Sequence, residues 1–118
     1  MTNTEKRIKF IQRFAELTLY AKVFEIEFIV TTFFRSLAKQ QALYDAGKSQ
    51  VVRNSKHRRW LAIDICLIRD WNCVWNGDEY RLLGEQWKRM GGIWGGDWES
   101  LNDIYHFQAG ETSEWFQA

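Results

Sequence analysis

The sequence predicts an α+β fold: a small, mainly antiparallel sheet flanked by three helices in a single domain. Three observations predict it. Apolar residues recur at helical spacing near the N-terminus and over residues 78–90, and a Ser36 cap and Gly47 stop bracket a helix over 37–46. Between these segments lie runs rich in β-branched and aromatic residues. Glycine and asparagine turn signals separate the two kinds of segment. The resulting order is helix, strand, helix, strand, helix, strand. At 118 residues the chain fits one domain, residues 1–118, and is long enough to bury a core without disulfides.

Thr4 or Asn3 is placed to cap a first helix from about Glu5 to Val23, with Ile8, Ile11, Phe14, Leu17 and Ala21 at helical spacing. Residues 24–34 read as a strand. Ser36 caps a second helix, Leu37 to Ala46, which stops at Gly47. Residues 48–59 are polar and basic and read as a loop, and Trp60 to Ile68 as a central strand. Asp78 caps a third helix that runs to about Met90, with Tyr80, Leu83, Trp87 and Met90 on one face. A glycine-rich loop, Trp94-Gly95-Gly96-Asp97-Trp98, leads to a short returning strand, Ile104 to Gln108. The tail from Ala109 onward carries little signal.

The composition is that of a soluble globular protein: 46% hydrophobic, 26% charged, formal net charge +1. That balance argues against a dedicated nucleic-acid binder, whose surface is normally far more basic. The one basic concentration is Arg53, Lys56, Arg58 and Arg59. Cys66 and Cys73 are too few for a disulfide framework or a four-cysteine zinc site and read as free thiols. The N-terminal residues lack the apolar segment of a secretory signal. The apolar stretch from Val23 to Phe34 is broken by Glu25 and Glu27 and is too short to span a bilayer. A soluble, cytoplasmic chain without stable membrane insertion, and a monomer, is the expectation.

The chain has only two histidines, His57 and His106. Asp64 lies on an otherwise apolar strand, where a carboxylate is costly unless paired or bound to metal. Two imidazoles and a carboxylate make a three-ligand zinc site with an open fourth position, the catalytic pattern. Asp103, three residues before His106, is positioned to act as general base. A histidine beside an apolar strand is more often structural or simply exposed, so pattern alone leaves both readings open. Six of the seven tryptophans lie between Trp71 and Trp115. Trp94 and Trp98 suit the walls of a substrate groove or the packing of the sheet, and Trp87 the core.

Ser55-x-His57 followed by Leu61-Ala62-x-Asp64 resembles the SxHxxGxAxD signature of the D-alanyl-D-alanine carboxypeptidase and L-alanyl-D-glutamate peptidase family, which includes VanX- and VanY-type enzymes and short phage endolysins. The run Trp94-Gly95-Gly96-Asp97-Trp98, then Asp103-x-x-His106-Phe107-Gln108, resembles its second signature. Phe34-Arg35-Ser36 with Gln40, Gln41, Leu43, Tyr44 and Gly47 resembles an upstream segment of the same family. The resemblance covers residues 28 to 108 in order. It implies a zinc peptidase of the hedgehog/D-Ala-D-Ala peptidase fold type. His57, Asp64 and His106 would hold Zn2+, Asp103 would be the base, and Arg35 would stabilise the oxyanion or hold the substrate. Ser55 and Gln41 would contact substrate, with Trp94 and Trp98 walling the groove. One departure is evident: the family's glycine before Leu-Ala is Trp60 here.

The expected function is hydrolysis of a bond in the stem peptide of bacterial peptidoglycan. L-alanyl-D-glutamate is the first expectation and D-alanyl-D-alanine the alternative. The expected setting is an endolysin held in the host cytoplasm until release. A metal-free virion domain, or a nucleic-acid-binding module built on residues 53–59, is the reading from a different class.

Overall fold

A computed structural model describes residues 1–47, 56, 60–100, 102–111 and 115. Helix α1 spans Asn3–Val23. Its cap is Thr2, one residue earlier than the sequence suggested. The Thr2 hydroxyl accepts the Glu5 N–H while the Glu5 carboxylate bonds back to Thr2, a capping box that satisfies two otherwise orphaned donors. Its buried stripe, Phe10, Phe14, Leu17 and Ala21, follows helical spacing. Ile8 and Ile11, on the expected apolar face, are half-exposed instead.

Strand β1 (Glu27–Thr32) is shorter than the predicted 24–34 run, because Glu25 turns with φ +57° between helix and strand. Helix α2 (Leu37–Asp45) is capped as expected, with the Ser36 hydroxyl accepting the Lys39 N–H. Strand β2 (Ala62–Arg69) is central. It turns through Asp70 and Trp71, both at positive φ, into the three-residue strand β3 (Asn72–Val74). Positive φ at both loop residues is the geometry that matches hairpin twist. Helix α3 (Asp78–Arg89) starts after Gly77 with no side-chain cap, so Asp78 is its first residue and not its cap. Strands β4 (Ile93–Trp94) and β5 (His106–Gln108) complete the sheet. Neither β3 nor β4 was expected; at three and two residues they are too short to show a period.

The strands run β1-β2-β5-β4, with β3 on the same edge of β2 as β5. Every described pairing is antiparallel. Where β3 leaves off and β5 begins, the Tyr80 hydroxyl enters the ladder. It accepts the Leu67 N–H at 3.0 Å and donates to the Val74 carbonyl at 2.5 Å. Burial pushes the Tyr80 phenol up to about 12.

Leu61 and one face of β2, Ile63, Ile65 and Leu67, pack with α1, α3, Phe107 and Trp115 around the fully buried Trp87. Trp115, in the tail from which little was read, sits edge-on to Trp87 at 5.0 Å. Alternation along the strand sends Asp64 and Cys66 to the opposite face. Cys66 is buried and Cys73 exposed, and both are free thiols. Among the described residues no helix is long and apolar enough to cross a membrane.

Candidate active site

The antiparallel register sets Asp64 of β2 directly across from His106 of β5 and, on the other side, from Thr32 of β1. Directly opposed residues carry their Cβ atoms about 5 Å apart, within side-chain reach. The His106 Nδ1 lies 3.0 Å from Asp64 Oδ1. The other carboxylate oxygen, Oδ2, accepts from Arg35 Nη2 at 3.1 Å.

A bulge delivers Arg35. The β1–β2 register slips between Val30 and Thr32, and Thr31 donates its hydroxyl to the Asp64 carbonyl at 3.2 Å. Bulges re-aim a strand at sites of this kind. The chain leaving β1 then brings Arg35 over Asp64 before α2 begins. Arg35 Nη1 donates to Gln40 Oε1 at 2.9 Å, and Gln40 is 1% exposed. The guanidinium is therefore held between a carboxylate and a buried amide, one bond to each, which fixes its plane.

Asp103 arrives on the loop before β5. Its N–H donates to the Gly95 carbonyl at 3.0 Å, and its Oδ1 accepts the Tyr105 N–H at 3.2 Å. A Cβ at Gly95 would strike the Asp103 carbonyl, so the close approach of these two loops requires glycine there. Burial, reinforced by the nearby Asp103 charge, pushes the Tyr105 phenol up. Trp98 lies against the His106 ring, centroids 5.0 Å apart, and is half-buried.

Asp64, Asp103 and His106 each offer one ligand atom, and the three atoms lie within 4.8 Å of one another. The carboxylate of Asp64 and the imidazole of His106 suit zinc, whose ligand bonds of about 2.0–2.2 Å put neighbouring donors roughly 3.3 Å apart. The 3.0 Å spacing of Nδ1 and Oδ1 fits that geometry. His57 and Ser55, the remaining expected ligand and substrate contact, lie outside the described residues, as do Arg53, Arg58 and Arg59 of the basic run.

Two of the expected substrate contacts are corrected. Trp94 is 2% exposed, its ring lodged against Gly84 and Gly96 and its Nε1–H donated to the Ile104 carbonyl at 2.9 Å. It is core, because two glycines leave a slot its ring fills. Gln41 is exposed and donates to Asp45 one turn on at 2.9 Å; the amide that reaches the site is its neighbour Gln40. Helix periodicity carries the missing signal: Gln40 lies four residues after Ser36, on the turn that faces Arg35, and Gln41 is rotated away. Gln108 was also missed. Its Oε1 lies 2.7 Å from His106 Nε2.

Trp60 stands where the family carries glycine, and its φ is +62°, the left-handed region glycine favours. Its ring stacks on Phe34, centroids 4.6 Å apart and planes 18° apart, which offsets the backbone cost.

Three known proteins similar to this chain are named as peptidases. The curated Peptidoglycan L-alanyl-D-glutamate endopeptidase CwlK of Bacillus subtilis (strain 168) is 32% identical over 101 residues, 70% of this chain and 60% of its own length. The crystal structure of the Serratia marcescens L-Ala D-Glu endopeptidase ChiX superposes with a TM-score of 0.61 at 31% identity, covering 70% of this chain and 66% of that one. A vancomycin-resistance D,D-pentapeptidase VanY, solved with Zn(II), shares the fold with a TM-score of 0.67 at 23% identity, covering 86% of this chain and 70% of that one. The chain thus spans about two thirds or less of the length of its CwlK and ChiX relatives. Residues 49–109, just over half of the chain, match the family described as D-alanyl-D-alanine carboxypeptidase. With the register that opposes Asp64 to His106 and the approach of Arg35 and Asp103, that match makes this chain a member of the D-alanyl-D-alanine carboxypeptidase family.

Proposed function

We propose that the protein is a zinc peptidase that hydrolyses the L-alanyl-D-glutamate bond of the peptidoglycan stem peptide. One observation carries the chemistry: Asp64, Asp103 and His106 converge within 4.8 Å, with Arg35 bonded to the outer oxygen of Asp64. The choice of bond rests on relatives. The two named for L-alanyl-D-glutamate cleavage share 31–32% of their aligned residues with this chain, against 23% for the D,D-pentapeptidase.

In this reading Asp64 and His106, with His57, hold the metal. Bound zinc supplies a Lewis acid and an acidified water. Asp103, oriented by the Tyr105 N–H, takes the proton of the attacking water at its carboxylate and returns it to the leaving amine. Arg35 holds Asp64 in place and presents positive charge where the oxyanion develops. Trp98, beside His106, flanks the substrate. The proposed setting is an endolysin, acting as a monomer and held in the host cytoplasm until release.

Mass spectrometry of digested peptidoglycan tests this. New termini at L-alanine and D-glutamate are expected, lost with a chelator and restored by zinc. Release of D-alanine instead selects the carboxypeptidase alternative, and an undigested wall rejects both. Asp103→Ala should retain zinc and lose hydrolysis, by about 100-fold or more if it is the base. His106→Ala should lose zinc and hydrolysis together. Full-rate lysis by the Asp103 variant removes the role assigned to it.

A further inference from the structure

Each nitrogen of the His106 ring faces a side-chain oxygen. Nδ1 faces Asp64 Oδ1 at 3.0 Å, and Nε2 faces Gln108 Oε1 at 2.7 Å. With an amide oxygen as its partner, Nε2 must carry the proton and donate. Nδ1 of the neutral ring then turns its lone pair toward a carboxylate oxygen. Two acceptors 3.0 Å apart repel unless a cation lies between them or the ring takes a second proton.

Gln108 is built to hold this orientation. It stands two residues after His106 on β5, so both side chains leave the same face of the strand while Phe107 points into the core. Its backbone is fixed from three directions: Ala62 on β2, Ile93 on β4, and the Trp87 indole N–H donated to its carbonyl at 2.8 Å. The amide therefore starts from an anchored Cα. Trp98 against the ring limits its tilt.

We infer that Gln108 is a positioning residue: its Oε1 accepts the His106 Nε2–H and so keeps the lone pair on Nδ1, facing Asp64, where a divalent cation is taken up. This rests on the metal reading proposed above, but its first consequence is visible without metal. A second partner that fixes the tautomer of a ligating histidine typically changes metal affinity by about 10–100-fold when removed.

The test compares the wild-type chain with Gln108→Leu, which keeps the size and loses the acceptor, and Gln108→Glu, which keeps an acceptor. Imidazole 15N spectra of the zinc-free proteins are recorded at alkaline pH, where a free imidazole is neutral. The wild type and Gln108→Glu should show His106 protonated at Nε2, and Gln108→Leu a mixture of tautomers. Zinc affinity by chelator competition should fall about 10–100-fold in Gln108→Leu and recover in Gln108→Glu. Circular dichroism confirms that each variant is folded. A folded Gln108→Leu with the wild-type tautomer and the wild-type zinc affinity overturns the assignment. A wild type that takes up no zinc overturns the metal reading alone; the zinc-free spectra then decide whether Gln108 sets the tautomer.

Discussion

Arg35 shows how much one side chain does here. Its bonds to Asp64 and to buried Gln40 use the planar fork of a guanidinium. Tyr80 is the corresponding residue for stability. Its hydroxyl stands in for a strand residue, bridging Leu67 and Val74 in the gap between β3 and β5. Tyr80→Phe leaves both backbone groups without that partner, at a cost of about 1–3 kcal/mol. The phenol also gives stability an alkaline limit. The unfolded chain loses this proton near 10, whereas the folded protein holds it to about 12. Between those values the folded state binds more protons, so stability falls as pH rises, by about 1.4 kcal/mol per unit from this group. Below that window the group adds no pH dependence. Urea unfolding from neutral to strongly alkaline pH should show the decline in wild type and a shallower one in Tyr80→Phe.

Among the elements, the turn into β2 joins backbone strain to aromatic packing. Trp60 holds a left-handed φ of +62° while its ring stacks on Phe34 and meets Phe33 edge-on. Any side chain with a Cβ pays roughly 1–2 kcal/mol for that backbone, and glycine does not. Trp60→Ala keeps the strain and loses the stack, whereas Trp60→Gly loses both. The glycine variant should therefore be the more stable of the two by about 1 kcal/mol. Urea midpoints at equal slope measure the gap; equal midpoints show that the turn is unstrained. The same stretch explains why Leu61 and Asp64 arrive on opposite faces: Leu61 enters the core, its N–H bonded to the Lys56 carbonyl, and alternation does the rest.

On the scale of the whole molecule, the site is assembled from segments that meet only in the folded chain. Arg35 follows β1, Asp64 sits on β2, Asp103 lies just before β5, and His106 opens β5. A cation bound by Asp64 and His106 ties β2 to β5 and has no such pocket in the unfolded chain. Zinc at 100 times its dissociation constant should add about 2.7 kcal/mol to stability, read as a rise in Tm that a chelator reverses. Asp64→Ala should abolish the rise; an undiminished rise there places the metal elsewhere.

How much of this was legible in the sequence varied with the range of the signal. The three helices follow from local periodicity and capping residues, properties of neighbouring residues, although Ile8 and Ile11 of the expected α1 face are half-exposed. Asp64, Asp103, His106 and Arg35 stood out because a carboxylate on an apolar strand and four residue types in family order are visible without coordinates. The sequence by itself therefore determined the helices, the central strand and four residues, Arg35, Asp64, Asp103 and His106, that the fold brings together. It did not separate Gln40 from Gln41, nor Trp94 from Trp98, and it passed over Gln108. Those distinctions depend on which face of an element meets which partner, and on slots such as the one Gly84 and Gly96 leave for Trp94. Only the tertiary structure decided them, because strand register and close packing are set by contacts between residues far apart in the chain, which no local pattern encodes.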